Sequence, residues 1–561
     1  MGTQVLDEFQ KRVDEVVCNS LAQYQPERHA TEKAIRDAVW GTSRLYRWEA
    51  AILDSPLLQR LRDVRQTGYA FLVYPTALHT RFDHTLGVLT VASRIVRSIN
   101  DKYADQKDAR VSFRDHMLIR LSALLHDVGH SCFSHVSEVI FGGSDEFKAL
   151  LRDLNEMYGV IPKPHEIMSW LVVRSARFKQ FIEELTAKGI LSGWQCTPED
   201  LDIVAGNIAG YRQNPTEKYL ADIINGPMDA DKLDYLVRDA YFAGPTVVYD
   251  LERFLQMVDT FPYPRDPSLP GQGARVVRLS IPIEGVTALE QIVISKLMLF
   301  SYLYHHQKIR CVEGMYQEAL KRIRELAVGS SKTPKWPLLD HAAAFLNLSD
   351  RTFSPDDWPP ETKGDKIAAD ILSMLARREL YKRALVISRL FTRDIDSDRK
   401  VNVGFQMVLN CGEDSAAREA LRARIYEATL RMMEHKRHRQ ATSELRKRFR
   451  IHHLLLDIPK MPSIEETKSV MIPVSSEARQ GEGEYVPLGE IFPIEKWVDA
   501  YSAIKWRGHV FTLEEAVPYV NAGACQILSS APYHLRFTPQ ATKLCKIEKP
   551  IEWETDLFGT A

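Results

Sequence analysis

The chain has 561 residues, of which 45% are apolar and 26% charged, a balance that predicts a soluble globular protein with several domains or one large helical body. Its formal net charge of −1 excludes a global attraction to nucleic acid or to an anionic membrane. No uninterrupted apolar run reaches the roughly 18 residues that span a bilayer, and the seven scattered cysteines contain no CxxC pair, so a reduced, cytoplasmic protein is expected.

Helical patterning dominates most of the chain, which predicts a mainly α fold. Residues 1–44 are predicted to form an N-terminal helical extension and 45–326 a helical core, in which apolar residues recur at helical spacing after His84. The run MLIRLSALLHDVGH is apolar almost all round, as a buried helix is, and Gly129 is its predicted stop.

The rest of the chain changes character twice. Residues 327–456 are predicted to be a helical extension of the core, with a loop-rich connection over 327–362 and helices again from 366 to about 450. After residue 456, short β-branched runs alternate with Pro and Gly. Residues 457–561 are therefore predicted to be a small C-terminal α+β domain.

Imidazole and carboxylate side chains collect at predicted helix ends. His84 precedes one helix, the adjacent His126 and Asp127 end another, and Asp231 opens a third. Such ligands suit Fe, Mn, Zn, Ni or Co better than Ca, and a metal here would activate water and polarise a phosphoryl oxygen.

A His–Asp dipeptide alone is more often a hydrogen-bonded helix end than a metal site. The neighbourhood strengthens the metal hypothesis, because LLHDVGHSCFSH places three histidines beside a wholly apolar helix. Burying so many ionisable rings without partners is costly, and a shared metal and anion site removes that cost.

Four motifs extend this pattern in a fixed order: HTRFDH, LSALLHDVGHSCFSHVSE, HEIMS and DADKLDYLVRDAYFAG. In residues and spacing the chain resembles the dNTP triphosphohydrolase branch of the HD superfamily, which includes the SAM- and HD-domain-containing enzymes of animals and bacterial dGTPase-type enzymes. The resemblance covers roughly residues 45–450 and makes 45–326 the HD phosphohydrolase core. Because this core begins early, no SAM domain is expected before it.

The resemblance implies roles for individual residues. It assigns the metal to His84, His126, Asp127 and Asp231. It makes His165 the catalytic histidine and Glu138 its carboxylate partner, where the animal enzymes carry Asp. Without the resemblance, His165 would be interpreted as a surface histidine capping a helix.

Further contacts are implied with the triphosphate, the sugar and a regulator. Cationic or imidazole contacts with the phosphates fall on Arg81, His130, His135 and Lys232. Contacts with the deoxyribose fall on Gln66, Tyr235, Asp239 and Tyr304. Asp231, Tyr235 and Asp239 also recur every four residues, so they share one face of a helix. Asp54 and Arg62 match positions that bind a regulatory nucleotide, although an ordinary surface ion pair explains them equally well.

The expected function is metal-dependent hydrolysis of a dNTP to deoxynucleoside and inorganic triphosphate, with Mg accompanying the phosphates. This activity would set nucleotide pools or deprive an invading phage of precursors. An HD phosphodiesterase or nucleotidase acting on another nucleotide is the alternative enzyme. A non-catalytic nucleotide-sensing or nucleic-acid-binding assembly protein is the third hypothesis, and the intact ligand set argues against it.

The resemblance also implies a homo-oligomer (dimer, tetramer or hexamer) and activation by a nucleotide bound between subunits. The basic segment 434–453 could bind such a nucleotide or single-stranded nucleic acid. A solvated helix face is the commoner explanation for a segment of this kind.

Overall fold

The computed structural model describes residues 2–105, 110–191, 193–246, 249–263, 276–329, 341–353, 366–435, 438–460, 468, 470–480, 483–547 and 551. Much of the predicted loop-rich connection 327–362 lies outside these residues. The described chain is mainly α with small sheets, as predicted.

The helices, numbered in chain order, are α1 (Gly2–Leu21), α2 (Arg47–Leu53), α3 (Pro56–Gln59), α4 (Arg81–Lys102), α5 (Phe113–Leu125), α6 (His135–Phe141), α7 (Asp145–Tyr158), α8 (Pro164–Arg174), α9 (Ala176–Ala187), α10 (Pro198–Ala209), α11 (Lys218–Asp222), α12 (Ala230–Ala243), α13 (Leu251–Met257), α14 (Val286–Leu299), α15 (Gln307–Gly329), α16 (Lys366–Ala376), α17 (Arg399–Asn410), α18 (Ser415–Glu434), α19 (Ser443–Arg448), α20 (Leu488–Ile491), α21 (Ile494–Ile504), α22 (Val517–Ser529) and α23 (Pro539–Lys543).

The strands are β1 (Lys33–Asp37), β2 (Gly41–Leu45), β3 (Asp259–Tyr263), β4 (Val276–Ser280), β5 (Lys382–Ile387), β6 (Leu454–Asp457), β7 (Met471–Pro473), β8 (Tyr485–Pro487) and β9 (Gly508–Thr512). They form antiparallel pairs β1–β2, β3–β4 and β7–β8, and a three-stranded sheet in the order β5-β9-β6. The central strand β9 is antiparallel to both neighbours.

The chain divides into two compact units that interleave along the sequence. Unit 1 contains residues 1–299, 320–366 and 464–493, and unit 2 contains 300–319, 367–463 and 494–561. The four domains predicted from the sequence are consecutive segments of the chain, whereas the two units are grouped by their contacts in space. The division into four domains stays a prediction.

Unit 2 is built around its three-stranded sheet. All five residues of β9 are buried, and the sheet shares an apolar core with α18 and α22. Strand β5 interrupts the stretch 366–450, which helical patterning alone predicted to be helical. Its sequence KRALVI is buried over the last four residues, as a strand in the middle of a core is.

Unit 1 packs α4, α5, α8, α10 and α12 against one another. Helix α5 begins at the N-cap Ser112, whose side chain accepts a hydrogen bond from Asp115 N–H. Every residue of α5 from Met117 to Leu125 is buried. The sequence-based prediction of a buried helix here is confirmed.

One helical stretch, Ile283–Tyr304, is long and apolar enough to cross a membrane by length and composition, with a mean hydropathy of 1.4. A count of uninterrupted apolar residues misses it because Glu284, Glu290 and Lys296 lie within it. Half of its 18-residue apolar window is buried inside the protein. Length and composition alone are weak support for a membrane span, since the core helix of a soluble protein passes the same test.

Candidate metal centre

Three helix ends in unit 1 carry the predicted metal ligands. A capping box between Thr80 and Asp83 starts α4, so that His84 lies in its first turn. The prediction that His84 precedes this helix is therefore wrong by one turn. His126 directly follows α5, and Asp231 is the second residue of α12.

The side chains of these ligands converge. His84 Nε2 lies 3.0 Å from Asp231 Oδ1 and 3.4 Å from His126 Nε2. Asp127 adds a carboxylate, with Oδ2 3.7 Å from His84 Nε2 and Oδ1 3.4 Å from His126 Nε2. Ligand atoms bound to a metal at about 2.0–2.2 Å are spaced at about 3–4 Å, so this set fits one metal ion.

Hydrogen bonds orient both imidazoles for metal binding. His126 Nδ1 lies 2.7 Å from the carbonyl oxygen of Ala123. His84 Nδ1 lies 2.7 Å from Asp234 Oδ2. Because carbonyl and carboxylate oxygens only accept, each Nδ1 carries a proton, which makes Nε2 the nitrogen that would bind a metal. The donor set therefore fits the divalent transition metals expected from the sequence.

Arg81 connects the ligand set to the neighbouring loop. Its Nη1 donates to Asp127 Oδ2 at 2.9 Å and its Nε to Ser134 Oγ at 2.9 Å. Burial alone would raise the pKa of Asp127, but the Arg81 guanidinium and nearby imidazoles hold that pKa well below its usual range. Asp127 is thus kept ionised as a metal ligand must be.

The predicted catalytic pair is present. His165 Nδ1 lies 3.0 Å from Glu138 Oε1, and both side chains are buried. Burial disfavours the charged imidazole, yet the negative charge and hydrogen bond of Glu138 outweigh it and raise the pKa of His165. The extra methylene of Glu relative to Asp does not prevent the contact.

His130 and His135 complete this second cluster. The Glu138 carboxylate lies 2.9 Å from His130 Nδ1 and 3.2 Å from His135 Nδ1. The rings of His130 and His165 stack at 3.9 Å. Ligand atoms of the four side chains all lie within 4.8 Å of one another, so this cluster also has the geometry to hold a metal.

His130 stands between the two clusters. Its Nε2 lies 3.2 Å from Asp127 Oδ1 and its Nδ1 lies 2.9 Å from Glu138 Oε1, so both ring nitrogens face carboxylates. Burial, with the positive charge of Arg81, lowers the pKa of His130 to about 3. A neutral imidazole at this position can donate one hydrogen bond.

The loop between α5 and α6, which carries His130, has a strained backbone and is hydrogen-bonded to residues that are distant in sequence. Phe133 and Ser134 both adopt positive φ angles, 51° and 53°, which cost about 1–3 kcal/mol each. Asp350 accepts hydrogen bonds from the Phe133 N–H at 2.6 Å and the Arg65 N–H at 3.0 Å. Arg60 donates to the carbonyls of Val128 and of His130.

Lys232 is hydrogen-bonded at the start of α12. Its ammonium donates to the Gly226 carbonyl and to Asp229 Oδ2, both at 2.7 Å. Asp229 is also the N-cap of α12, so the lysine is tied to the start of the helix. Its role as a phosphate contact stays a prediction.

The residues predicted for the sugar occupy one region of unit 1, with one exception. Asp239 Oδ1 lies 2.8 Å from His79 Nε2, and the Gln66 N–H donates to the His79 carbonyl at 3.1 Å. Gln66 Oε1 is buried and accepts no hydrogen bond from the described residues. Tyr235 lies on α12, and burial raises its pKa. Tyr304 belongs to unit 2, so its assignment to the pocket stays a prediction.

The two predicted regulatory residues have separate partners. Asp54 forms ion pairs with Lys33 and, at 3.1 Å, with His29. Arg62 donates to Gln59 Oε1 at 2.9 Å and stacks 3.6 Å from the centre of the Phe82 ring. In this structure their contacts are local, and a nucleotide site there stays a prediction.

The basic segment 434–453 has several of its charges paired within unit 2. Arg446 bonds to Glu434 at 3.2 Å, Lys447 to Glu444 at 2.7 Å and Arg448 to Glu515 at 2.8 Å. Pairing of this kind is what a solvated helix face shows. Nucleic-acid binding by this segment stays a prediction.

Sequence reasoning missed three residues of the site. A role for Asp234 could have been predicted, because it lies three residues after Asp231 and so on a nearby face of α12. His79 opens the HTRFDH motif but received no role. Asp350 gave no signal, since its contact with Phe133 spans 217 residues of sequence.

Gly129 tests how closely this centre is packed. A Cβ there would lie 2.3 Å from the carbonyl oxygen of His165 and 2.4 Å from the Ser169 nitrogen, both backbone atoms of α8. Gly129→Ala is therefore expected to lower the free energy of unfolding by about 1–3 kcal/mol, measured by urea denaturation. Gly314→Ala in α15 is the control, because its Cβ meets only a Leu455 methyl group at 3.1 Å. Equal stability of the two variants would contradict the close packing.

Comparison with known proteins identifies an HD domain and an HD associated region in this chain. The HD domain family matches residues 81–236, and the HD associated region matches residues 275–403. An uncharacterized protein of Methanocaldococcus jannaschii is 27% identical over 381 residues, covering 67% of this chain and 65% of that protein. The deoxynucleoside triphosphate triphosphohydrolase SAMHD1 of Homo sapiens is 24% identical over 375 residues, covering 63% of this chain and 55% of that protein.

The enzyme of the same name in Bos taurus is 27% identical over 380 residues, covering 63% of this chain and 58% of that protein. The match thus spans between 55% and 65% of the length of these relatives. The HD match contains all four predicted metal ligands, together with Glu138 and His165. Residues 81–236 of the chain thus match the HD domain, and over about 63% of its length the chain is similar to deoxynucleoside triphosphate triphosphohydrolases.

Proposed function

We propose that the protein is a metal-dependent hydrolase that splits dNTPs into deoxynucleoside and inorganic triphosphate. One observation carries the proposal. Asp127 at the metal cluster lies 3.2 Å from one ring nitrogen of His130, and the other lies 2.9 Å from Glu138. The predicted metal ligands and the predicted proton-transfer pair therefore adjoin each other through His130, which supports the proposal.

His84, His126, Asp127 and Asp231 would hold the metal. When bound, it polarises a phosphoryl oxygen and helps to activate water. Arg81 is buried, always charged and fixed by two hydrogen bonds, so it can stabilise negative charge that develops on the phosphates. Neutral His130 can donate one hydrogen bond to the same group.

His165 is suited to act as the general acid. With Nδ1 directed at Glu138, its Nε2 can present a proton to the substrate. Its raised pKa keeps that proton in place at higher pH than an ordinary histidine would. Water forms the new bond to the α-phosphorus and releases a proton to solvent, while the bond from phosphorus to the 5′-oxygen breaks and the departing 5′-oxygen takes the His165 proton. His165 regains a proton from solvent before the next turnover.

Selection of a deoxyribose rests on residues around α12. Tyr235 follows Asp231 by one turn and Asp239 follows by two, with Asp239 held by His79. The unsatisfied Gln66 Oε1 can accept a hydrogen bond from a sugar hydroxyl. Tight packing against C2′ is required, because a merely apolar wall rejects an added hydroxyl poorly.

The proposal predicts a specific pair of products. Protein loaded in turn with Mn, Fe, Co, Ni or Zn is incubated with each dNTP, singly and as a mixture, and with the matching ribonucleotides. Chromatography is expected to show deoxynucleoside plus triphosphate, and Asp127→Ala is expected to give none. Turnover in mixtures alone would support the activating nucleotide and the homo-oligomer that the resemblance implies. Failure of every dNTP mixture, with Asp127→Ala indistinguishable from the parent protein, would contradict the proposal.

A further inference from the structure

The carboxylate of Asp234 contacts the predicted metal ligand His84 at Nδ1, the ring nitrogen that does not face the other ligands. Asp234 is fully buried on α12. Its Oδ2 lies 2.7 Å from His84 Nδ1, on the side of the ring opposite the Nε2 that faces Asp231 at 3.0 Å. The position of the His84 ring therefore depends on where the Asp234 carboxylate is held.

Arg238 holds that carboxylate with two hydrogen bonds. Its Nε donates to Asp234 Oδ2 at 2.8 Å and its Nη2 to Oδ1 at 3.0 Å. A bidentate pair of this kind fixes orientation as well as distance. The third guanidinium nitrogen, Nη1, lies 2.8 Å from Asp37 Oδ2, so Arg238 links α12 to the β1–β2 hairpin.

The hairpin also reaches Asp234 directly. Asp37 Oδ1 accepts hydrogen bonds from the Val39 and Trp40 N–H groups, both at 2.7 Å. These bonds shape the turn between β1 and β2. This turn places Trp40 so that its indole Nε1–H donates a hydrogen bond to Asp234 Oδ1.

Helix α4 packs closely against the Asp234–Arg238 pair at Gly87. A Cβ at Gly87 would lie 1.9 Å from Asp234 Oδ1 and 2.4 Å from Arg238 Nη2. Both side chains are buried and hydrogen-bonded, so they cannot move aside freely. The glycine lets α4, which carries His84, approach the carboxylate closely.

We propose that Asp234 is a positioning residue for the metal centre, held by Arg238 and by the Asp37–Trp40 turn. It fixes the tautomer of His84 and aims Nε2 at the metal. The N-terminal hairpin, which lies before the matched HD domain, is thereby part of the metal site. This inference rests on the metal site of the proposed function, but not on its substrate.

The test measures metal binding by the full chain without nucleotide. Mn²⁺ and Co²⁺ dissociation constants are determined by chelator competition, and bound metal is counted after gel filtration. Asp234→Asn leaves one acceptor oxygen for several donors, so metal binding is expected to weaken by about 10–100-fold. Ser43→Ala is the control, because it removes a 2.6 Å hydrogen bond between the same hairpin and Thr90 of α4 without touching Asp234. This control is expected to bind metal as the parent protein does.

Trp40→Phe provides a second, milder variant that removes the indole N–H from Asp234 and keeps a smaller aromatic ring in the turn, and a several-fold weakening is expected. If Asp234→Asn does not fold, this variant decides the question. Parent-like metal affinity in the folded variants, or equal weakening by Ser43→Ala, would overturn the inference. A parent protein that binds metal but hydrolyses no dNTP would refute the proposed function alone.

Discussion

Replacing Asp231 by Asn is expected to lower the rate of dNTP hydrolysis by on the order of 10³-fold or more and to reduce bound metal. Asp231 supplies the carboxylate oxygen 3.0 Å from His84 Nε2. An amide is nearly the same size but carries no charge and is a far weaker metal ligand. Steady-state rates and elemental analysis of the purified variant give the two measurements.

Asp202→Asn is the matched control, since Asp202 is a half-exposed carboxylate on α10 that pairs with Lys179 at 3.8 Å. It is expected to keep full activity and metal content, because exposed ion pairs contribute little. An Asp231→Asn variant that retained parent-like turnover would remove Asp231 from the ligand set. A loss of activity with unchanged metal content would instead assign it a role in binding substrate.

The second large effect concerns the proton-transfer pair. His165→Ala is expected to lower kcat by about 10²–10⁴-fold, the usual contribution of a general acid. The metal held by His84, His126, Asp127 and Asp231 is expected to be retained, because His165 belongs to the second cluster and is not one of these four ligands. Loss of metal together with activity would contradict this separation of roles.

The same pair sets the pH dependence. A general acid works in its protonated form, so kcat is expected to fall as the pH rises through the pKa of His165. Glu138 raises that pKa, and Glu138→Gln removes the negative charge. The falling limb of the profile should therefore move to lower pH in Glu138→Gln. A shift to higher pH, or no shift, would mean that His165 does not act as the acid.

The ligand-bearing helix ends were predictable because their signals are local. An apolar run that stops at His126 and a capped start before Asp231 can both be identified within a few residues of sequence. The contacts that support them were not predictable, because they join distant parts of the chain. The His84 imidazole meets Asp234 across 150 residues of sequence, and no local pattern encodes such a pairing.

The contacts of Lys232 depend on more than its position beside Asp231. That position favours a phosphate contact, which stays a prediction, and in the structure the Lys232 ammonium donates to Asp229. Strand β5 was missed because its local signal is ambiguous. A short apolar run is compatible with helix or strand, and its identity is decided by the partner strand β9, which lies more than 100 residues later.

The central place of β9 has a consequence for the order in which the protein can be made. Strands β5 and β6 do not pair with each other, and both hydrogen-bond to β9. During synthesis from the N-terminus they must wait for Gly508–Thr512 to leave the ribosome before either finds its partner. The sheet of unit 2 thus forms only after the chain through Thr512 has been made, and until then its two outer strands lack their partner and present unpaired edges to other nascent chains.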